Sequence, residues 1–139
     1  MSNFDDVGKF HKKFGLHHSP LTGQIADNKR KKPLDLDSRT IAFRLAFLEE
    51  ELQELKTAYD ANDTAGIADA LVDLVYVAMG TAHLHNLPWQ DLWEEVQRSN
   101  MEKERAQSSV QSKRGSALDV IKPEGWQPPD IKSILRQYD

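Results

Sequence analysis

An all-α fold is what this chain predicts, on three observations: apolar residues recur at spacings of three and four along two long stretches, strand-like alternation is scarce, and Asp, Asn, Pro and Gly stand where helices must begin or end. Residues 3–14 place Phe4, Val7, Phe10 and Phe14 at helical spacing, with Gly15 to end a short helix. The stretch 15–37 carries His-Ser-Pro, Thr-Gly, Asp-Asn and Lys-Pro breakers and reads as irregular. Asp37 or Ser38 caps a helix running to about Tyr59, whose Ile41, Leu45, Leu48, Leu52, Leu55 and Tyr59 form the expected packing seam. Asn62-Asp63 supplies a turn and a cap for a second long helix, from about Thr64 to His85, which is apolar nearly all round and so is expected at the centre. Pro88 opens a third amphipathic helix, PWQDLWEEVQRSNMEKER, and after a Ser/Gln/Gly-rich loop the segment PEGWQPPDIKSILRQYD ends in one short helix.

The length of 139 residues suits one domain, 1–139, with a helical core over about 38–106 between an N-terminal arm and a C-terminal tail. An antiparallel helical hairpin packed by a third helix follows. A helix apolar on every side needs more cover than two short neighbours provide, so a bundle completed by homo-oligomerisation, as a homodimer or homotetramer, is expected. The net charge of −4 argues against nucleic acid or an anionic membrane as the main partner. Without cysteine there is no disulfide, thiolate metal site or cysteine nucleophile, a composition that fits a reducing compartment. The N-terminal MSNFDDVGKFHKKFG lacks the apolar run of a signal peptide, and the reading is a soluble, cytoplasmic protein.

Two aspartates break the most apolar stretch, IADALVDLVYVAMGTA: Asp69 and Asp73, one helical turn apart. Asp69 is close enough to the start of its helix to serve the dipole, but Asp73 is too deep for that. Upstream, at about 100° per residue, Glu50, Glu51 and Glu54 fall within an arc of about 100°, on a flank that also carries Phe43 and Phe47, while Glu49 falls elsewhere. A glutamate run taken alone marks a solvated face. In a hairpin, however, the end of one helix lies beside the start of the next, so these carboxylates converge with Asp69 and Asp73. Unneutralised, they would repel one another; a bound hard cation, Mg²⁺ or alternatively Mn²⁺, accounts for them.

These residues resemble the MazG-like all-α nucleoside triphosphate pyrophosphohydrolases, whose motif is EExxE on one helix and ExxD on the next. Glu50-Glu51-Leu52-Gln53-Glu54 matches the first half, and Asp73 takes the place of the motif aspartate. Ala70 stands where the family has glutamate, and Asp69 is the nearest acid. With RSNMEK and the PEGWQPPDI tail, the chain is similar to a branch whose second motif reads DxxxD. The resemblance implies hydrolysis of an NTP or dNTP between the α and β phosphates, giving the monophosphate and pyrophosphate. It implies Glu51, Glu54 and Asp73 as metal ligands, Asp69 as a fourth, and Glu50 at a second metal or the attacking water. Asn100 and Lys103 are implied to contact the nucleotide, with Lys113, Arg114 and Lys122 in the tail able to close over the polyphosphate. Phosphoribosyl-ATP pyrophosphohydrolase shares the fold and reaction and is the alternative substrate reading. The non-enzymatic alternative is a helical interaction module whose acids pair with the basic loop Lys29-Arg30-Lys31-Lys32, a run that otherwise reads as solvated.

His83 and His85, two residues apart, point to different sides of a helix and are not expected to share a metal; His11, His17 and His18 have no partner at ligand spacing. Trp89, Trp93 and Trp126 read as packing residues, Trp126 in its Pro-rich loop being the one to test as a base platform. Walker A, GxSxG, GxGxxG and HExxH patterns are absent.

Overall fold

In a computed structural model describing residues 2–17, 26 and 32–138, the element order is α1 (Asn3–Lys13), α2 (Ser38–Asp60), α3 (Thr64–Leu84), α4 (Trp89–Met101), β1 (Glu104–Arg105), β2 (Val120–Ile121) and α5 (Ile131–Arg136). The fold is all-α apart from that two-stranded ladder. The chain divides into two compact units, one holding α1 to α3 and the other running from Pro88 to Gln137. Lys29, Arg30, Lys31 and His18 lie outside the described residues.

In the first unit the caps fall where the sequence puts them. Ser2 Oγ accepts from the Asp5 N–H while the Asp5 carboxylate accepts from the Ser2 N–H, a closed capping box, and Gly15 leaves α1 at a φ of +68°. Asp37 caps α2 by accepting from the Thr40 N–H at 2.9 Å and the Thr40 hydroxyl at 2.6 Å. Asn62 turns the chain at a φ of +52°, and Asp63 caps α3 through the Gly66 N–H at 3.0 Å. Past α3, Asn86 turns again at +53°; its side-chain amide donates to the Lys32 carbonyl, and the Leu34 N–H donates to the His85 carbonyl. The 32–36 segment is thereby tied to the end of α3. Small residues allow α2 and α3 to approach: a Cβ on Gly66 would stand 3.2 Å from the Ala58 Cβ.

The packing seam predicted for α2 is a correction. Ile41, Leu45, Leu52 and Tyr59 are exposed, at 40%, 56%, 44% and 58%, and Leu48 and Leu55 are half-buried. The inward face is instead Arg44, Glu51 and Ala58, with Phe47 half-buried among them, offset from the leucine stripe by about one residue, or roughly 100°. α3, between α1 and α2, turns Ala70, Val77 and Gly80 inward, but Leu71, Val72 and Val75 remain exposed. α3 is also long and apolar enough to cross a membrane, by length and composition alone.

In the second unit α4 stops at Met101, short of the expected end near Ala106, because Glu104 and Arg105 pair antiparallel with Ile121 and Val120 and the Ala106 N–H donates to the Asp119 carbonyl. Those backbone groups serve the ladder rather than a helix. Asp119 holds the intervening loop: it accepts from the Ser112 hydroxyl and pairs with Arg114, bonds that hold its carboxyl well below the usual range. α5 is capped by Asp130, whose own N–H donates to Glu95 on α4.

Candidate active site

Glu51 and Glu54 lie one turn apart near the end of α2, and Asp73 lies on the inward side of α3. Each offers an oxygen within 4.8 Å of the others'. Glu51 is 8% exposed, Asp73 half-buried and Glu54 exposed. Glu51 Oε2 is buried with no hydrogen-bond partner among the described residues. Burial, reinforced by Glu54, Asp73 and Glu50, pushes the Glu51 carboxyl up to about 6. Burial and the charges of Asp69 and Glu54 likewise push Asp73 up. Like charges brought this close, two of them on carboxyls held above their usual range, form a poor structural cluster and a good cation site. Oxygen ligands about 2.0–2.6 Å from a hard divalent ion sit within about 5 Å of one another, so this donor set fits such an ion.

Glu50 and Asp69 stand outside the triad. Both are exposed, and each reaches it through its charge, Glu50 on Glu51 and Asp69 on Asp73. The inward position three residues before Asp73 is taken by Ala70, 3% exposed, whose methyl carries no ligand atom.

Glu51 and Asp73 also line a cavity of about 830 Å³ within the first unit. Its walls include the rings of Phe10, Phe43, Phe47 and Tyr76; Phe10 meets Tyr76 edge-on at 5.4 Å and Phe43 meets Phe47 at 5.9 Å. The flank that pairs Phe43 and Phe47 with the acids on paper is thus one wall of a cavity. Its size is within the range of small-molecule sites. Arg44, His11 and His17 line it too, and the apolar periodicity of α2 does not single out Arg44. The available signal was heptad spacing: Arg44, Glu51 and Ala58 recur every seven residues, beside the more conspicuous leucines.

Asn100, Lys103 and Lys122 belong to the second unit. Asn100 is exposed, while the Lys103 and Lys122 ammonium groups lie 5.3 and 5.0 Å from the centroid of Trp126, within cation–π range. The Trp126 indole N–H donates to the Ser99 carbonyl at 2.7 Å, and Trp89 stacks with Trp93 at 6.3 Å. Arg114 is engaged with Asp119. His83 donates from Nε2 to the Phe4 carbonyl at 2.7 Å and stacks on the Phe4 ring, and His85 Nδ1 bonds the Leu34 carbonyl at 2.9 Å.

A helical hairpin whose carboxylate triad suits a divalent cation, beside an aromatic cavity, defines the class, an all-α scaffold with a candidate metal site. The family model for phosphoribosyl-ATP pyrophosphohydrolase matches residues 19–100, more than half of the chain, and the chain belongs to that family, within the MazG-like nucleoside triphosphate pyrophosphohydrolase superfamily. The match spans α2, α3 and nearly all of α4; α1 and everything after Asn100 fall outside it. No curated protein matches the chain. Membership makes the protein a nucleotide pyrophosphohydrolase with the divalent-metal dependence typical of the family.

Proposed function

We propose that the protein is a Mg²⁺-dependent pyrophosphohydrolase that cleaves an NTP or dNTP between the α and β phosphates, with Mn²⁺ able to substitute. The observation that carries this reading is the triad of Glu51, Glu54 and Asp73, two of whose members, Glu51 and Asp73, line an aromatic cavity. The triad would hold the ion, and Asp69, exposed one turn before Asp73, is the remaining acid able to reach it from outside. When bound, the ion neutralises phosphate oxygens and lowers the pKa of a coordinated water. Glu50, exposed and beside the triad, would hold a second ion or orient that water and accept its proton. The rings of Phe43, Phe47, Phe10 and Tyr76 offer stacking surface for a nucleobase.

A second reading, phosphoribosyl-ATP as substrate, is favoured by the family model itself. The broken bond is the same; the two differ in what lies beyond the base. From the resemblance we carry nucleotide contacts to Asn100 and Lys103, and we read Lys122 of the tail as a further substrate-binding residue. We read the chain as soluble and cytoplasmic, with no membrane or nucleic-acid partner. We also read it as a homodimer or homotetramer, because the stripe of Ile41, Leu45 and Leu52 on α2 and of Leu71, Val72 and Val75 on α3 is apolar and exposed.

The test is pyrophosphate release with Mg²⁺ from ribo- and deoxyribonucleoside triphosphates and from phosphoribosyl-ATP, for wild type, Glu54→Gln and Asp73→Asn. Release that both variants lose by roughly a hundred- to a thousandfold, the several kcal/mol a metal contributes, supports the reading. A folded wild type that releases none from any of them refutes it.

A further inference from the structure

Arg44 is 7% exposed and lines the cavity, yet no carboxylate pairs with it among the described residues; their ion pairs involve Arg98 and Arg114. Its Nε donates to Thr81 Oγ1 at 3.0 Å and its Nη2 to the Val77 carbonyl at 2.8 Å, and its guanidinium carbon lies 5.5 Å from the Phe47 ring centroid. Those two bonds use two of five N–H donors. They also fix the plane of the group, so the remaining donors have a set direction rather than a mobile one.

Gly80 makes this placement possible. A Cβ there would stand 2.6 Å from His11 Nε2 and 2.7 Å from Arg44 Nη2, so the two side chains meet over a position where only a hydrogen fits. His11 does not add a second charge: burial above all, with a contribution from Arg44, holds its pKa below the usual value. Arg44 precedes Glu51 by two helical turns on the same face, about 10 Å along the axis at about 1.5 Å per residue. The cavity therefore has carboxylates at one place and, about 10 Å away along α2, a buried cation with donors to spare. A buried charge without a counter-charge is costly, and a ligand that satisfies it recovers that cost on binding.

We infer that Arg44 determines specificity, donating to an oxygen edge of the substrate remote from the metal-holding carboxylates. This rests on the pyrophosphohydrolase reading of the site. Such an edge must accept only. A keto base (uracil, thymine or guanine) offers a carbonyl there; cytosine and adenine offer an amino group, which sets donor against donor and leaves both unpaired. In a phosphoribosyl-bearing nucleotide the distal phosphate provides the same acceptor chemistry. Arg44 is thus a recognition residue.

The products of the reaction separate these sources without turnover, since none has a pyrophosphate to lose. Calorimetry on the Mg²⁺-loaded protein would compare UMP, GMP, CMP, AMP and phosphoribosyl-AMP, with wild type, Arg44→Lys and Arg44→Met. UMP and GMP are expected to bind roughly tenfold to a hundredfold more tightly than CMP and AMP, the cost of leaving a buried donor unpaired against an amino group. That preference should collapse in Arg44→Lys, which keeps the charge and loses the fork. Phosphoribosyl-AMP binding tightest of all, and losing its advantage in Arg44→Met, would identify the distal phosphate as the group received. Equal binding of all five to wild type, no binding of any, or a preference that survives both substitutions overturns the inference. The wild-type comparison decides even if a variant fails to fold. Equal pyrophosphate release from triphosphates of every base and from phosphoribosyl-ATP would overturn the role of Arg44 and leave the activity standing, whereas selective product binding without release from any of these substrates would do the reverse.

Discussion

Glu51→Gln should make the metal-free protein more stable. Glu51 is buried, one of its oxygens has no hydrogen-bond partner among the described residues, three other acids act on it, and its carboxyl is pushed from 4.5 up to about 6. A folded-state pKa above the unfolded value means that the native protein holds the proton more tightly. The favourable term is full below pH 4.5 and is lost as pH rises through about 6. The shift is about 1.5 units, and at about 1.4 kcal/mol per unit the ionised carboxylate costs the metal-free fold about 2 kcal/mol at pH 8. Glutamine keeps the shape, carries no charge and can donate to Glu54. At about 2.1 cal/mol/K per residue, unfolding 139 residues changes entropy by about 0.3 kcal/mol/K, so the melting temperature in EDTA at pH 8 should rise by about 7 °C. At pH 4.5 the gain should shrink towards zero. Saturating Mg²⁺ should reverse the order, because only wild type keeps the full site and an ion at a hundred times its Kd contributes about 2.7 kcal/mol. Thermal melts of both proteins under these three conditions are sufficient. A variant no more stable than wild type at pH 8 in EDTA would refute the argument that Glu51 is held in place for function at the expense of stability.

Gly80→Ala should destabilise by about 1–3 kcal/mol, the cost of overfilling a packed site, because its Cβ collides with the ring of His11 and the guanidinium of Arg44; an unchanged denaturation midpoint would contradict this. His11 and His83 are both held below their usual pKa, chiefly by burial. The unfolded chain therefore binds their protons more readily, and stability should be full above about pH 6.5 and fall as acidification passes it. Melts at pH 7.5 and 5.5 in a Glu51→Gln/Asp73→Asn background, which removes the two carboxyls whose shifts have the opposite sign, should show that decline, and a flat profile would count against it. Leu45→Glu, on the exposed stripe of α2, should shift the mass by light scattering to that of a monomer and abolish the dependence of the melting temperature on protein concentration; a monomeric wild type would end the oligomer reading.

The helices were legible because their signals are local. Asp37, Asp63, Asn62, Gly15 and Pro88 each fix a boundary through a side chain or a permitted dihedral within a turn of itself. The triad was legible for a related reason: Asp73 is a charge where only apolar residues belong, and a hairpin leaves it few partners. What was not legible was which stripe of α2 faces α3. Hydrophobic periodicity selects Ile41, Leu45, Leu52 and Tyr59, yet the hairpin interior is built on Arg44, Glu51 and Ala58. Periodicity finds the most apolar face and is blind to whether that face covers the site or a neighbour. The early end of α4 was hidden too, since Glu104 and Arg105 pair with residues some sixteen positions away and no local residue announces it.

That inversion connects the fold to the chemistry. A hairpin closed by leucines would leave little room for a cavity and would not tolerate a carboxylate at Glu51. Packing through small residues at Ala58, Gly66 and Ala70 brings the backbones close at one end, while Arg44 and the aromatic rings line a cavity at the other. The interior is thereby occupied by charges of opposite sign, Arg44 and Glu51, that lie two turns apart and do not pair with each other. Pairing them would stabilise the hairpin and leave neither free for a ligand. Holding them apart keeps Glu51 ready to take up a cation and Arg44 ready to receive an acceptor, and leaves the apolar stripe on the outside of the hairpin. A substrate with a metal-bridged polyphosphate at one end and an acceptor edge at the other would satisfy both charges in a single binding event.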